Sequence, residues 1–253
     1  MWCVEYRDLI WNLTISDLKV KFQSSVLGFA WSLLNPLLMM LVLYFVFSNV
    51  FRFDQEHFAL YLLIGLISWR FLANGTSAAL LAIVGRPGLV TKIAIPREIL
   101  VLSTALSAFI SSILEFVVLI PLLFILGAGI TANLFFFPLV HTIYFLIVYG
   151  VSLILASFYV YYRDLNQIWE VVLQAGLFLS PIVYPVSIIP AEYFDLYMLN
   201  PMTVLIEIYR KFLLYGVAPS FISLLALSGF GLLMVFLGTV VFHRLERRFA
   251  EVI

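Results

Sequence analysis

Six apolar stretches alternate with short polar segments along this chain of 253 residues. They cover residues 33–52, 58–84, 99–126, 132–160, 167–185 and 220–242. A helix that crosses a bilayer needs about 20 mainly apolar residues, and each stretch reaches that length except the fifth, which is borderline. The pattern therefore predicts an all-α integral membrane protein with six transmembrane helices.

Lysine and arginine residues are distributed unevenly between the two sides of these predicted spans. One side carries Arg7, Lys19, Lys21, Arg86, Lys92, Arg97, Arg163, Arg244, Arg247 and Arg248. The other side carries Arg52, Arg210 and Lys211, while Arg70 lies inside the second span. Because cytoplasmic loops carry an excess of basic residues, both termini are predicted to be cytoplasmic, as in a multi-pass protein of the inner membrane.

Composition supports the same class and excludes others. Hydrophobic residues make up 64% of the chain and charged residues 11%, whereas soluble domains are about 25% charged. The formal net charge is zero, and no basic stripe is present to neutralise phosphates, so no nucleic-acid partner is expected. A single cysteine, Cys3, excludes an intrachain disulfide.

Residues 1–30 precede the first span but have helical periodicity. The polar residues at spacings of three and four are Glu5, Asp8, Asn12, Ser16, Lys19 and Gln23. Tryptophans at positions 2, 11 and 31 are typical of a membrane interface. The segment predicts an amphipathic helix in the cytoplasmic headgroup layer, in front of a six-span domain over 31–253. The alternative is a soluble cytoplasmic helix packed on another subunit.

Two connecting segments are unusual. The cytoplasmic loop 85–98 contains two prolines, two glycines and three cations, which suits docking of a soluble partner, although it could also be a simple charged turn. The external segment 187–215 is apolar and is interrupted at Pro190 and Pro201. Its last 14 residues would form a helix of about 21 Å, too short to span, so short re-entrant helices lining the outer end of a path are predicted. A cap lying flat on the outer surface is the alternative.

No catalytic or metal-binding signature is present in the sequence. It has no G-x-x-x-x-G-K-[ST] loop for ATP, no H-E-x-x-H, and no cysteine spacing typical of zinc. We therefore expect no enzyme activity, no metal site and no cofactor in this chain. An integral membrane transferase would have to be assembled from Arg70, Glu115 and Glu170, which lie on separate predicted helices.

Polar groups inside the spans indicate where a path could lie, since such groups are costly in lipid. Asn166, Glu170 and Gln174 follow one another at intervals of four, which places them on one helix face. Aromatic residues in the middle of spans could stack on sugar faces. The candidates for lining a path are Asn35, Tyr44, Trp69, Asn166, Glu170, Gln174 and Tyr184. The serines of the third span are read as helix-packing residues, and Arg70 has no identifiable partner.

Several segments resemble a known family. They are LGFAWSLLNPL at 27–37, GLVTKIAIPREIL at 88–100, YRDLNQIWEVVLQAGLFLSPIVYP at 162–185 and NPMTVLIEIYRKFLLYG at 200–216. Together they are similar to the membrane subunits of polysaccharide-exporting ATP-binding cassette transporters of the second exporter type, such as O-antigen, teichoic-acid and capsule exporters. Arg70 departs from the pattern, because a less costly residue is expected there.

The resemblance implies a homodimer with two separate cytoplasmic ATPase subunits, which would bind ATP and magnesium. It also implies that the residues coupling the membrane subunit to the ATPases are Arg86, Lys92, Pro96, Arg97 and Glu98. The expected activity is export of a lipid-linked polysaccharide through the membrane. The alternative within the same architecture is an exporter of a small hydrophobic drug or lipid.

Overall fold

A computed structural model describes residues 6–23, 28, 30–52, 55–93, 95–129 and 131–252, apart from the side chains of Phe22 and Ala250. All regular structure in these ranges is helical. The α-helices are α1 (Arg7–Phe22), α2 (Ala30–Phe45), α3 (Phe58–Val84), α4 (Pro87–Lys92), α5 (Glu98–Ile125), α6 (Phe137–Tyr161), α7 (Leu165–Phe178), α8 (Ala191–Met198), α9 (Pro201–Leu213), α10 (Phe221–Leu245) and α11 (Phe249–Val252).

Five helical segments in the described ranges are long and apolar enough to cross a membrane. They are Ala30–Val50, Phe58–Val84, Glu98–Ile125, Ala132–Tyr161 and Phe221–Arg248. Each coincides with one of the predicted spans, and a π-helical turn over Val46–Val50 extends α2. The prediction of an all-helical membrane protein is confirmed.

The predicted fifth span, 167–185, is only partly helical. Helix α7 ends at Phe178 after 14 residues, or about 21 Å. Pro181 follows closely; it has no amide to donate, and it disfavours helical backbone at Ser180. Residues 179–185 therefore continue as irregular backbone, so a single helix over the fifth apolar stretch does not form.

Helix α3 lies at the centre of the fold. It packs against α5 and α6 along much of its length, with α2 and α7 on its remaining sides. Its N-terminal part, residues 58–69, is buried without interruption apart from partly buried Ala59. A helix that is apolar all round suits this central place, where every face meets another helix.

Helices α6 and α10 cross at glycines. A Cβ atom at Gly238 would lie 2.5 Å from the carbonyl oxygen of Gly150, and a Cβ atom at Gly150 would overlap the backbone of Met234. Small residues allow this backbone-to-backbone approach, which is a common way to associate helices in membranes. Farther along both helices, the Tyr161 hydroxyl donates a 2.8 Å hydrogen bond to the Leu245 carbonyl. The two helices therefore run parallel.

The N-terminal segment forms the predicted helix over Arg7–Phe22, and α1 packs along the first half of α5. The Thr14 hydroxyl lies 3.4 Å from the Ser103 carbonyl, and Ile10 and Thr14 are buried. Trp11 and Val20 are exposed, so the outward face carries apolar groups too. Residues 1–5, 24–27 and 29 of the predicted helix lie outside the described ranges, and its place in the headgroup layer stays a prediction.

Candidate functional site

Arg86 connects the loop 85–98 to the helices around it. Its guanidinium forms an ion pair with Asp17 of α1. It also lies 3.4 Å from both the Leu100 carbonyl and the Thr104 hydroxyl on α5. Arg86 thus links α1 and α5 at the point where α3 ends, and its side chain is mostly buried rather than presented to solvent.

The other end of the loop is held by the C-terminal segment. Arg97 donates a hydrogen bond to the Glu246 carbonyl. The buried carboxylate of Glu98 lies 3.3 Å from His243 Nε2, and His243 Nδ1 lies 2.9 Å from the Glu246 carboxylate. Phe249, fully buried, belongs to the same apolar cluster as Val90 of α4. Movement of the loop is therefore tied to the end of α10.

The outward surface of the loop lies on α4 and just beyond it. Lys92 and its neighbours Thr91 and Ile93 are exposed, whereas Val90 is buried beneath them. Pro96 is half-buried. Of the five coupling candidates, Lys92 is the one exposed for contact with a partner, and the others lie at the base of the loop.

The irregular segment 179–185 continues beyond α7 alongside the N-terminal part of α3. Helix α7 runs antiparallel to α3, since Trp169 Nε1 donates to Thr76 at 2.9 Å and Gly176 packs against Trp69. Beyond Phe178 the chain continues in the same direction and brings Ile182 against Gly65. We call residues 179–185 the broken segment.

Side chains donate hydrogen bonds to three carbonyl groups of the broken segment. Asn200 donates to the Leu179 carbonyl at 3.2 Å, Arg210 to that of Ile182 at 3.1 Å, and Tyr61 to that of Tyr184 at 3.1 Å. Non-helical backbone at membrane depth is tolerated only when protein or water satisfies it. These hydrogen bonds allow the segment to leave helical geometry inside the bundle.

Arg210 is the most enclosed charged side chain of this region. It is fully buried, with its guanidinium carbon 3.3 Å from the centre of the Tyr61 ring. It also donates to the Tyr61 carbonyl at 3.2 Å and to Glu207 at 3.0 Å. The charge count of the sequence assigned Arg210 only to the side opposite the termini. In the structure its side chain lies within the protein, because α9 packs into the bundle beside α3.

The candidates for lining a path fall into two groups. Asn35 and Tyr44 on α2, and Asn166, Glu170 and Gln174 on α7, are exposed. Trp69 is buried against Gly176, and Tyr184 is half-buried, donating a 2.6 Å hydrogen bond to the Phe178 carbonyl. The structure brings Trp69 and Tyr184 near the ends of the broken segment and leaves the polar face of α7 uncovered. That these residues line a path stays a prediction.

Arg70 has a partner that the sequence did not indicate. Its Nε lies 3.6 Å from the carboxylate of Glu115, which is almost fully buried on α5. Lys21, at the end of α1, lies close enough to interact electrostatically with both Arg70 and Glu115. Burial lowers the pKa of Lys21, and the carboxylate of Glu115 opposes that shift. Three helices therefore contribute charges to one cluster.

Comparison with known proteins identifies the family. Residues 8–214 match the family described as ABC-2 type transporter. This chain belongs to the ABC-2 type transporter family. It is 30% identical to the O-antigen export system permease protein RfbA of Myxococcus xanthus over 253 residues, covering 98% of this chain and 96% of the relative.

Two further relatives match over most of their length. An O-antigen export system permease protein RfbA of Klebsiella pneumoniae is 29% identical over 248 residues, covering 97% of this chain and 95% of the relative. The polysialic acid transport protein KpsM of Escherichia coli is 21% identical over 237 residues, covering 92% of each. This chain is thus a multi-pass transporter subunit rather than an enzyme, and ATP hydrolysis belongs to a separate subunit.

In this ABC-2 transporter subunit, sequence reasoning missed the structural roles of Arg210, Glu115 and His243. A signal for the first existed: Glu207 and Arg210 stand three residues apart, on one face of a short helix. Glu115 and His243 had no such signal, because their partners are on other helices. Contacts of that kind appear only when the helices are assembled.

Proposed function

We propose that this chain is the membrane subunit of an ATP-driven exporter that moves a lipid-linked polysaccharide of the O-antigen type across the inner membrane. The observation that carries the proposal is similarity over nearly the whole chain to O-antigen permeases, joined by a polysialic acid transport protein. The exposed polar face of α7 and the aromatic residues around the broken segment suit a hydrated sugar chain.

The topology we propose has six crossings and two cytoplasmic termini. Helices α6 and α10 are parallel, so the chain must return across the membrane between residues 162 and 220. Helix α7 followed by the broken segment makes that return, and α8 and α9 then form the re-entrant elements at the outer side. The basic residues near both termini set the orientation.

The assembly we propose contains two copies of this chain and two ATPase subunits, which bind ATP and magnesium. Helices α2 and α7 each keep a broad exposed face, and on α2 this face is largely apolar. A second copy placed against these faces would leave the path between the two subunits, lined by Asn166, Glu170 and Gln174.

Coupling would start at α4. An ATPase subunit docks at Lys92 and Ile93. When ATP binding draws the two ATPase subunits together, their movement displaces the loop 85–98. Arg86 passes that movement to α1 and α5, while Arg97 and Glu98 pass it to the end of α10. Helices α1 and α5 also carry Lys21 and Glu115 of the charge cluster around Arg70, so the displacement would reach that cluster.

The proposal is tested by purifying this subunit from its native membrane and assaying the eluate for ATP hydrolysis. We expect an ATPase partner in a one-to-one ratio, and an intracellular lipid-linked glycan that accumulates when the subunit is deleted. A subunit that elutes alone without ATPase activity contradicts the exporter assignment. ATPase activity stimulated by small hydrophobic compounds, with no glycan accumulating, favours a drug or lipid exporter instead.

A further inference from the structure

An open concavity of about 500 Å³ lies where α6 and α10 end, at the end of the bundle opposite the broken segment. It is lined by Phe158, Tyr161, Tyr162, Arg244, Leu245, Arg247 and Arg248. Three of these seven residues are arginines, and no carboxylate lines the concavity. We call it the arginine pocket.

The arginines of the pocket carry uncompensated positive charge. Arg244, Arg247 and Arg248 are exposed, and among the described residues none of them forms an ion pair. The nearest acid in sequence, Glu246, is occupied by His243 at 2.9 Å. Arg163, which lies 5.3 Å over the ring of Tyr159, adds a cation at the same end of α6. The exposed Asp164 follows it but does not line the pocket.

The walls of the pocket are aromatic and lead onto apolar helix faces. Tyr161 is fixed by its hydrogen bond to the Leu245 carbonyl, while Tyr162 and Phe158 present exposed rings. Farther along α10, Phe236 and Leu233 are exposed as well. A ligand that fits this arrangement has an anionic head against the guanidiniums and apolar chains along the helices.

We infer that the arginine pocket binds the phosphate headgroup of an anionic phospholipid in the cytoplasmic leaflet. A guanidinium group can donate two parallel hydrogen bonds to two oxygens of one phosphate. Tyrosine rings are enriched at the depth of the lipid headgroups. Basic pockets between membrane helices on the cytoplasmic side are typical sites for anionic headgroups. The inference goes beyond the export function and needs only the proposed orientation of the chain.

The test uses the complete transporter, with its ATPase subunits, in nanodiscs of phosphatidylglycerol and phosphatidylcholine, followed by native mass spectrometry of retained lipid. The wild-type complex should retain phosphatidylglycerol selectively. The variant Arg247→Gln/Arg248→Gln should retain it about 30-fold more weakly, since each basic residue near an anionic surface contributes about 1 kcal/mol. The matched control, Arg52→Gln/Lys211→Gln, removes two exposed cations at the opposite side and should retain the lipid like the wild type.

Three outcomes overturn the inference. Equal retention of the two lipids by the wild type excludes an anionic-lipid site without reference to any variant. Displacement of phosphatidylglycerol by an equal concentration of inorganic phosphate assigns the pocket to free phosphate. Loss of the ATPase subunits from the double variant, with lipid retention unchanged, assigns it to an acidic surface of the partner protein. Partial recovery of retention in Arg247→Lys/Arg248→Lys supports the inference, because the ammonium keeps the positive charge but lacks the bidentate fork of the guanidinium.

Discussion

Arg210 donates a hydrogen bond to the carbonyl of Ile182 at 3.1 Å, across 28 positions of sequence. The contact joins α9 to the broken segment, and the same guanidinium nitrogen reaches the Tyr61 carbonyl on α3 at 3.2 Å. A single buried cation thereby holds α9, the broken segment and the central helix α3 together.

Replacing Arg210 should therefore destabilise the packing of α9 and the broken segment against α3. Arg210→Met removes the donor to the buried Ile182 carbonyl, and an unsatisfied buried group costs about 1–3 kcal/mol. Arg210→Lys should recover only part of the loss, because one ammonium lacks the planar fork of donors. Thermal unfolding of the detergent-solubilised protein measures the effect. Lys211→Met, at the exposed neighbouring position, is the control and should unfold like the wild type.

Arg97→Ala should leave the subunit folded and the ATPase subunits bound, but uncouple ATP hydrolysis from export. The variant removes the bond to the Glu246 carbonyl, so movement of the loop no longer displaces the end of α10. The ratio of glycan exported to ATP hydrolysed measures coupling and should fall several-fold. Unchanged export by Arg97→Ala would show that the loop transmits its movement elsewhere.

Phe249→Ala should destabilise the packing of the loop 85–98 against the C-terminal segment. The ring is fully buried in the cluster that includes Val90, and truncating a buried phenylalanine costs about 3–5 kcal/mol in well-packed cores. Hydrogen exchange of the amides in 86–93 should become faster. The control is Val252→Ala on the same short helix, whose side chain is half-exposed and whose loss should change little. Equal rates of amide hydrogen exchange in the two variants would show that Phe249 does not stabilise the loop.

The ion pair between Arg70 and Glu115 predicts strong coupling in a double-mutant cycle. Arg70→Met removes the ion-pair partner of the buried Glu115 carboxylate and leaves Lys21 as the cation near it, so the cost should be at most the roughly 3–5 kcal/mol of breaking a fully buried pair from one side. Arg70→Met/Glu115→Met removes both charges and should recover most of the lost stability. Free energies of unfolding of the four proteins give the interaction free energy, and additive single effects would show that the two side chains do not interact.

Gly150→Leu should separate α6 from α10. Any side chain at this position overlaps the backbone of Met234, which a flexible neighbour cannot relieve. We expect little folded protein in the membrane. Gly229→Leu is the matched control, since a Cβ atom at Gly229 meets no other atom within 4 Å. Equal yields and melting temperatures for the two variants would mean that the close crossing of α6 and α10 is not required.

Segments whose behaviour depends on their own composition were predicted from the sequence. The five membrane-length helices and the helix over Arg7–Phe22 follow from apolar length and from helical periodicity. The end of α7 is more instructive: the apolar stretch continued to residue 185, and apolarity alone could not show that Pro181 would stop the helix early. The proline can be read from the sequence. The side chains that donate hydrogen bonds to the carbonyl groups of the broken segment, and so stabilise it inside the bundle, cannot.

The candidate site shows the same division. Sequence placed Arg86, Lys92, Arg97 and Glu98 in one loop, but it could not separate exposed Lys92 from buried Glu98. That difference arises because the loop folds over the C-terminal segment, whose Glu246 and Phe249 lie about 150 positions away along the chain.

The sequence by itself thus determined that this is a helical membrane protein, that five of its apolar stretches form helices long enough to cross a bilayer, and which family it resembles. Those properties depend on the transfer of local segments from water to lipid, so local composition decides them. Only the tertiary structure decided that Arg70 pairs with Glu115 and that Arg210 supports the broken segment. Inside a bilayer each buried charge and each free carbonyl must find a partner, and those partners come from distant helices.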